Sequence, residues 1–136
     1  MKSVLVVDDD IELAQLLNVS VCERFKNAVV DIASDPFEAM NMMADKAYDL
    51  VLLDWNLPGI TGLRTLEQAS KDFDYDPNLP SEWREKRTPV VVMSADDEEQ
   101  CKAHSTRYFS YAGFVNKKLG LGGIMDQVNQ HLVLVH

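Results

Sequence analysis

Two apolar runs, Val4-Leu5-Val6-Val7 and Leu50-Val51-Leu52-Leu53, contain no polar residue, and each stops at carboxylates. Asp8-Asp9-Asp10 follows the first and Asp54 the second. A short run with no polar alternation is buried on both faces, the pattern of a central strand in a parallel sheet. Open α/β sheets bind ligands in the crevice beyond the carboxyl ends of such strands. Several carboxylates gathered there repel one another, and one keeps its proton unless a cation is shared among them. Hard, oxygen-seeking Mg2+ suits such a cluster. The pattern therefore predicts an acidic metal pocket with an aspartate at its centre.

The chain has 136 residues, the size of one ordinary domain, and 46% of them are apolar, enough for a proper core. A formal net charge of −9 argues against nucleic acid and against an anionic membrane surface, both of which need clustered Lys and Arg. No apolar stretch approaches the ~20 residues of a membrane helix. The first residues read as a strand, so no signal peptide is expected. Cys22 and Cys101 fall in separate predicted helices and read as reduced thiols of a cytoplasmic protein.

Strand and helix patterns alternate along the chain. Strands are predicted at about 3–7, 28–33, 50–53, 89–93 and 114–116. Helix one carries Leu13, Leu17, Val21 and Phe25 on one face. Asp35-Pro36 opens helix two, with Asp as N-cap and Pro in the first turn, and Phe37, Met40 and Ala44 line it. The Met40, Met42 and Met43 cluster reads as core filling. Pro58-Gly59 and Gly62 punctuate the next loop, before a helix lined by Leu63, Leu66, Ala69 and Phe73. Asp96 is placed to cap helix four, which is expected to run to about Tyr108. Helix five starts near Gly123, with Ile124, Val128 and Leu132 inward. Strict alternation implies a parallel sheet covered by helices on both faces.

The candidates for chemistry all stand at strand ends: Asp8 and Asp9, Asp54, Ser94, and Lys117. A parallel sheet brings these ends to one edge. Taken singly, each has a structural reading: an Asp after a strand is often a helix cap, the reading preferred for Asp10. All four strand ends carrying suitable groups together favours a site.

The chain resembles receiver domains of two-component response regulators. The resemblance lies in Val6-Val7-Asp8-Asp9, in Leu53-Asp54-Trp55-Asn56-Leu57-Pro58-Gly59 with Gly62, in Val92-Met93-Ser94-Ala95 and in Gly113-Phe114-Val115-Asn116-Lys117. It spans nearly the whole chain and implies one receiver domain over 1–136 with no output domain. The implied fold is flavodoxin-like: a three-layer αβα arrangement with a five-stranded parallel sheet of order 2-1-3-4-5. It further implies a phosphorylation-dependent signalling switch that catalyses only its own phosphorylation and dephosphorylation. Asp54 would accept the phosphoryl group from a phosphohistidine of a histidine kinase or phosphotransfer protein. Asp9 and Asp54 would bind Mg2+ directly, Asp8 through water, and the Asn56 carbonyl would add a ligand. Ser94 would hydrogen-bond a phosphoryl oxygen and Lys117 would pair with its charge. Phe114 matches an aromatic switch position, and it reads almost as well as a plain core aromatic. Asn56 and Asp96 sit where the family tunes the phosphoryl lifetime. A downstream protein target, and pairing of two receivers on phosphorylation, are the implied outputs.

Departures from the family pattern are few. Lys118 stands where receivers usually have Pro, so a cis bond would cost about 3 kcal/mol and a trans bond is expected. Lys118 could then compete for the role of Lys117, although register favours Lys117. Asn116 is polar where the family usually buries an aliphatic residue. An insertion of roughly 74–88 links helix three to strand four. It reads first as a tolerated surface loop, and second as a docking element anchored by Trp83. His104, His131 and His136 read as surface residues. Two rival functions remain: a receiver-like scaffold that works without phosphorylation, and a small Asp-nucleophile phosphatase of the haloacid dehalogenase type. The phosphatase would use Asp8 and leave Asp54 without a role.

Overall fold

The apolar runs form strands where the pattern predicts them. The computed structural model describes residues 2–57, 61–85, 87–101 and 104–134. In chain order these form β1 (Lys2–Val7), α1 (Ile11–Arg24), β2 (Ala28–Ala33), α2 (Pro36–Asp45), β3 (Leu50–Asp54), α3 (Gly62–Asp74), α4 (Glu82–Glu85), β4 (Thr88–Ser94), α5 (Glu98–Cys101) and β5 (Phe109–Asn116). A 3-10 turn (Lys117–Leu119) then leads into α6 (Gly120–Leu134). The strands form one parallel sheet of order β2-β1-β3-β4-β5.

Side chains alternate across each strand, so the central strands feed two cores. Val4, Val6, Leu50, Leu52, Val91 and Met93 face Ala14, Leu17 and Val21 of α1 and Ile124, Val128 and Leu132 of α6. Leu5, Val7, Val51, Leu53, Val90 and Val92 face Met43 of α2, Leu66, Ala69 and Phe73 of α3, and Trp83. This is the expected three-layer arrangement. Asp10 caps α1 by accepting from Leu13 N, and Asp35 caps α2 by accepting from Glu38 N, with Pro36 in the first turn.

Several expectations need correction. Helix four does not reach Tyr108: α5 spans Glu98–Cys101, and residues 104–108 are not helical. β5 instead begins at Phe109 and pairs with β4 from Thr88 onward, with a register shift opposite Val90/Val91. A seven-residue β4 needs a partner along its length, and the aromatic alternation of Phe109 and Tyr111 supplies one. α6 starts at Gly120 rather than Gly123. In α2, Phe37 is exposed, and Pro36, Ala39 and Met43 are the buried positions. Met40, Met42 and Met43 all pack into the core as expected. Cys22 and Cys101 are free thiols in different helices. The Pro58-Gly59 dipeptide and His136 lie outside the described residues, as does the side chain of Leu63.

The insertion lies largely at the surface, but Trp83 is not an exposed aromatic anchor. Trp83 is 2% exposed, and its indole N–H donates to the Met43 carbonyl at 2.8 Å. Its ring packs tilted against Phe73 at 5.0 Å and edge-on against Phe109 at 5.3 Å between centroids. Arg84 donates to the Phe73, Leu79 and Asp76 carbonyls and so closes the segment onto the end of α3. His131 is half-buried, with its Nε2 shielded from solvent and without a hydrogen bond, and burial lowers its pKa. It is therefore not the surface residue expected.

Gly62 opens α3 against the ring that follows Asp54. An added Cβ would lie 2.5 Å from Trp55 Cε3. The Trp55 indole N–H donates to the Cys101 carbonyl at 2.9 Å, so the ring cannot swing aside freely. Gly62→Ala is expected to cost about 1–3 kcal/mol by overpacking. Thermal unfolding checks this; an unchanged Tm would contradict it.

Candidate functional site

Sheet order puts β1 and β3 side by side at the centre, with β4 and β5 beyond. Val7 is in register with Leu53, Asp54 with Met93, and Ser94 with Asn116. The residues that end these strands are therefore carried to one edge. Asp8 is fully buried and Asp54 is 3% exposed, while Asp9 is exposed. One carboxylate oxygen from each of the three lies within 4.8 Å of the others.

Lys117 reaches into this cluster. Its Nζ is 2.8 Å from Asp8 Oδ2 and 3.3 Å from Asp54 Oδ2. Lys118 is exposed and forms no ion pair among the described residues, so the register argument for Lys117 holds. The backbone ties down the other oxygens: Asp10 N donates to Asp8 Oδ1 at 2.9 Å and Asn56 N donates to Asp54 Oδ1 at 3.0 Å. Asp8 Oδ2 is buried and has no hydrogen bond beyond its ion pair. Burial drives the Asp8 carboxyl above its ordinary pKa; the Lys117 ammonium and the Asp10 N–H pull it back, and the Asp54 charge adds to the rise. For Lys117, burial works against the charge, but the Asp8 hydrogen bond and the Asp54 carboxylate outweigh it and hold the ammonium above its ordinary pKa.

The donor set fits a hard divalent cation. It consists of carboxylate oxygens with one buried, under-bonded oxygen among them, and it carries more negative than positive charge. All-oxygen ligands in a compact cluster are the donor set that Mg2+ prefers.

Ser94 is fully buried, and both its hydrogen-bonding capacities are in use. Its hydroxyl donates to Asn56 Oδ1 at 2.8 Å and accepts from Asp96 N at 3.0 Å. Asn56 Nδ2 donates to Asp96 Oδ2 at 3.2 Å, which makes the Asp96 side chain part of the site's rim. Phe114 packs half-buried against the core on the α5 side. The structure thus brings Asp8, Asp9, Asp54, Asn56, Ser94 and Lys117 to one edge. Sequence reasoning flagged Asn116 only as a departure. Its side chain accepts from Lys118 N at 2.9 Å, and the signal was an Asn immediately before a turn that closes on Gly120.

A family model for the response regulator receiver domain matches residues 4–129. The chain belongs to this family. Receiver domains are signalling domains of two-component systems. This receiver domain is 31% identical over 96 residues to the transcriptional regulatory protein ResD of Bacillus subtilis, covering 71% of this chain and 34% of ResD. It is 36% identical over 94 residues to the aerobic respiration control sensor protein ArcB of Escherichia coli, covering 69% of this chain and 11% of ArcB. The chain spans less than half the length of these curated relatives. Among solved structures it is similar to the response regulator TrrA of Thermotoga maritima in complex with Mg2+ and BeF, at 25% identity and a TM-score of 0.69, covering 96% of this chain and 98% of that one. A receiver domain of a Francisella response regulator matches at 24% identity and a TM-score of 0.72, over 100% of both chains. No helix among the described residues is long and apolar enough to cross a membrane.

Proposed function

We propose that this receiver domain is a phosphorylation switch in which Asp54 accepts a phosphoryl group with Mg2+ held by Asp8, Asp9, Asp54 and the Asn56 carbonyl. The observation that carries the reading is the meeting of three carboxylates with the Lys117 ammonium at one sheet edge. A receiver structure with Mg2+ and BeF bound, that of TrrA, supports the choice of metal and of phosphoryl chemistry.

In the proposed transfer an Asp54 oxygen bonds to phosphorus as the bond from phosphorus to the donor nitrogen of a phosphohistidine breaks. The electron pair returns to the imidazole. Bound Mg2+ would supply neutralisation of charge on the phosphoryl oxygens. Lys117 pairs with the charge that arrives, roughly −2 once the acyl phosphate has formed. Ser94 must release Asn56 Oδ1 to donate to a phosphoryl oxygen, and that exchange alters the contacts of Asn56 and Asp96 on the rim. A histidine kinase or phosphotransfer protein is the proposed donor, and a protein target reads the altered surface. Asp8 and Asp54 have equivalent partners, a backbone N–H on one oxygen and Lys117 on the other, so Asp54 is preferred as the nucleophile by its match to the phosphoacceptor position of the receiver pattern.

The test is incubation with acetyl phosphate and Mg2+, followed by intact-mass measurement. The chain is expected to gain one phosphoryl group, and to gain none when the metal is chelated. Failure to gain it with Mg2+ present would remove the reading.

The raised Asp8 pKa sets a pH dependence. Metal binding needs the deprotonated carboxylate, so Mg2+ affinity is expected to fall as pH drops through that raised value, with proton release on binding. The linkage sign for the metal-free fold is the reverse. Between the ordinary and the raised pKa the folded state holds more protons than the unfolded, so the Asp8 contribution weakens as pH rises through that window. Calorimetry of Mg2+ binding across pH checks this; affinity constant down to acid pH would contradict it.

A further inference from the structure

The geometry points to Asn116 as the positioning residue that aims Lys117 into the acidic pocket, an inference that rests on the function proposed above. The Lys117–Lys118 bond is trans, since no cis peptide bond occurs among the described residues. The turn that carries Lys117 must therefore be shaped by something other than a cis bond. Asn116 supplies the shape at its start: Oδ1 accepts from Lys118 N at 2.9 Å and caps the 3-10 turn. Gly120 supplies it at the end, where its N–H donates to the Lys117 carbonyl and its φ of 68° lies in the left-handed region open to glycine. Lys117 sits between these two fixed points, and its Nζ bridges Asp8 and Asp54.

Asn116 also ties the turn to the opposite lip of the site. Its Nδ2 donates to the Asp96 carbonyl at 3.5 Å, a longer and weaker contact. Asp96 in turn accepts from Asn56 and its N–H holds Ser94. One side chain thus joins the ammonium-bearing turn to the hydroxyl-bearing loop. An aliphatic residue at this position would leave the Lys118 N–H without its cap and cut the link to Asp96. None of the three carboxylates bonds to Asn116, so the substitution reaches them only through Lys117.

The experiment compares the unaltered chain, Asn116→Val and Asn116→Ser. It measures the rate of acetyl-phosphate labelling, Mg2+ affinity from the fluorescence of Trp55 beside the pocket, and thermal unfolding. Asn116→Val is expected to label roughly ten- to a hundredfold more slowly, the scale of a misplaced positioning group. Its Mg2+ affinity should not fall, since no carboxylate bonds to Asn116 and a displaced Lys117 ammonium competes less with the cation. Asn116→Ser, whose hydroxyl can cap the same turn, should recover most of the rate. Labelling of Asn116→Val at the unaltered rate overturns the inference. So does a parallel loss of Mg2+ affinity or of folding, which would make the role generally structural, and so does a serine variant as slow as the valine one. An unaltered chain that binds Mg2+ but takes no label removes the proposed function and this inference with it.

Discussion

Asp54→Ala and Asp54→Asn are expected to abolish phosphoryl incorporation from acetyl phosphate, with no residual label at any other carboxylate. The two variants separate charge from shape. Asn keeps the volume of the side chain at the end of β3 and can still accept from Asn56 N, but it offers no anionic oxygen to phosphorus. Among the described carboxylates, Asp54 is the one that combines three circumstances. It is 3% exposed, it faces the Lys117 ammonium at 3.3 Å, and it closes the central strand β3. Asp9 is exposed, and Asp8, which is also buried and paired with Lys117, lies one residue past the end of β1. Mg2+ affinity should also drop in both variants, since one of the clustered ligands is lost. Intact mass after incubation decides the matter; label persisting at the unaltered level would refute the assignment of Asp54.

Trp83→Ala is expected to be the most destabilising single change in the insertion. Removing a buried Trp costs about 3–5 kcal/mol through lost transfer energy and the cavity left behind. The Met43 carbonyl also loses its donor, which adds a buried unsatisfied acceptor. For a domain of this size the Tm should fall by on the order of 10 °C. Phosphoryl labelling of the remaining folded protein should persist, because Trp83 lies in the core beside Phe73 and Phe109 and touches none of the clustered carboxylates. Thermal unfolding with and without the substitution checks this. An unchanged Tm would restore the picture of a loosely attached surface element.

The fold was legible because its central strands carry an unambiguous signal. Val4–Val7 and Leu50–Leu53 have no polar interruption, and α6 repeats Ile124, Val128 and Leu132 at four-residue spacing, so both periodicities could be read directly. The carboxylates at the strand ends were legible for the same reason, as a parallel topology carries them to one edge. What escaped depends on contacts between residues distant in sequence. Trp83 is a core residue only because Phe73 and Phe109 come together around it. The start of β5 was set by the need of β4 for a partner, which overrode any helical reading of residues 104–108. Phe37 was misjudged by the register of a short helix, where a shift of one or two positions turns an inward residue outward. Asn116 was visible as an anomaly, but its role required the turn geometry that follows it.

The central claim is that the carboxylate at the end of β3 is the chemical acceptor in a Mg2+-dependent pocket. The most direct measurement is residue-level mapping of the acyl phosphate. The chain is incubated with acetyl phosphate and Mg2+, reduced with borohydride, which converts a phosphorylated aspartate to homoserine, and sequenced by fragmentation. The account predicts homoserine at position 54 alone, and none when the metal is withheld. Modification at Asp8 or Asp9 instead, or at position 54 regardless of Mg2+, would contradict it.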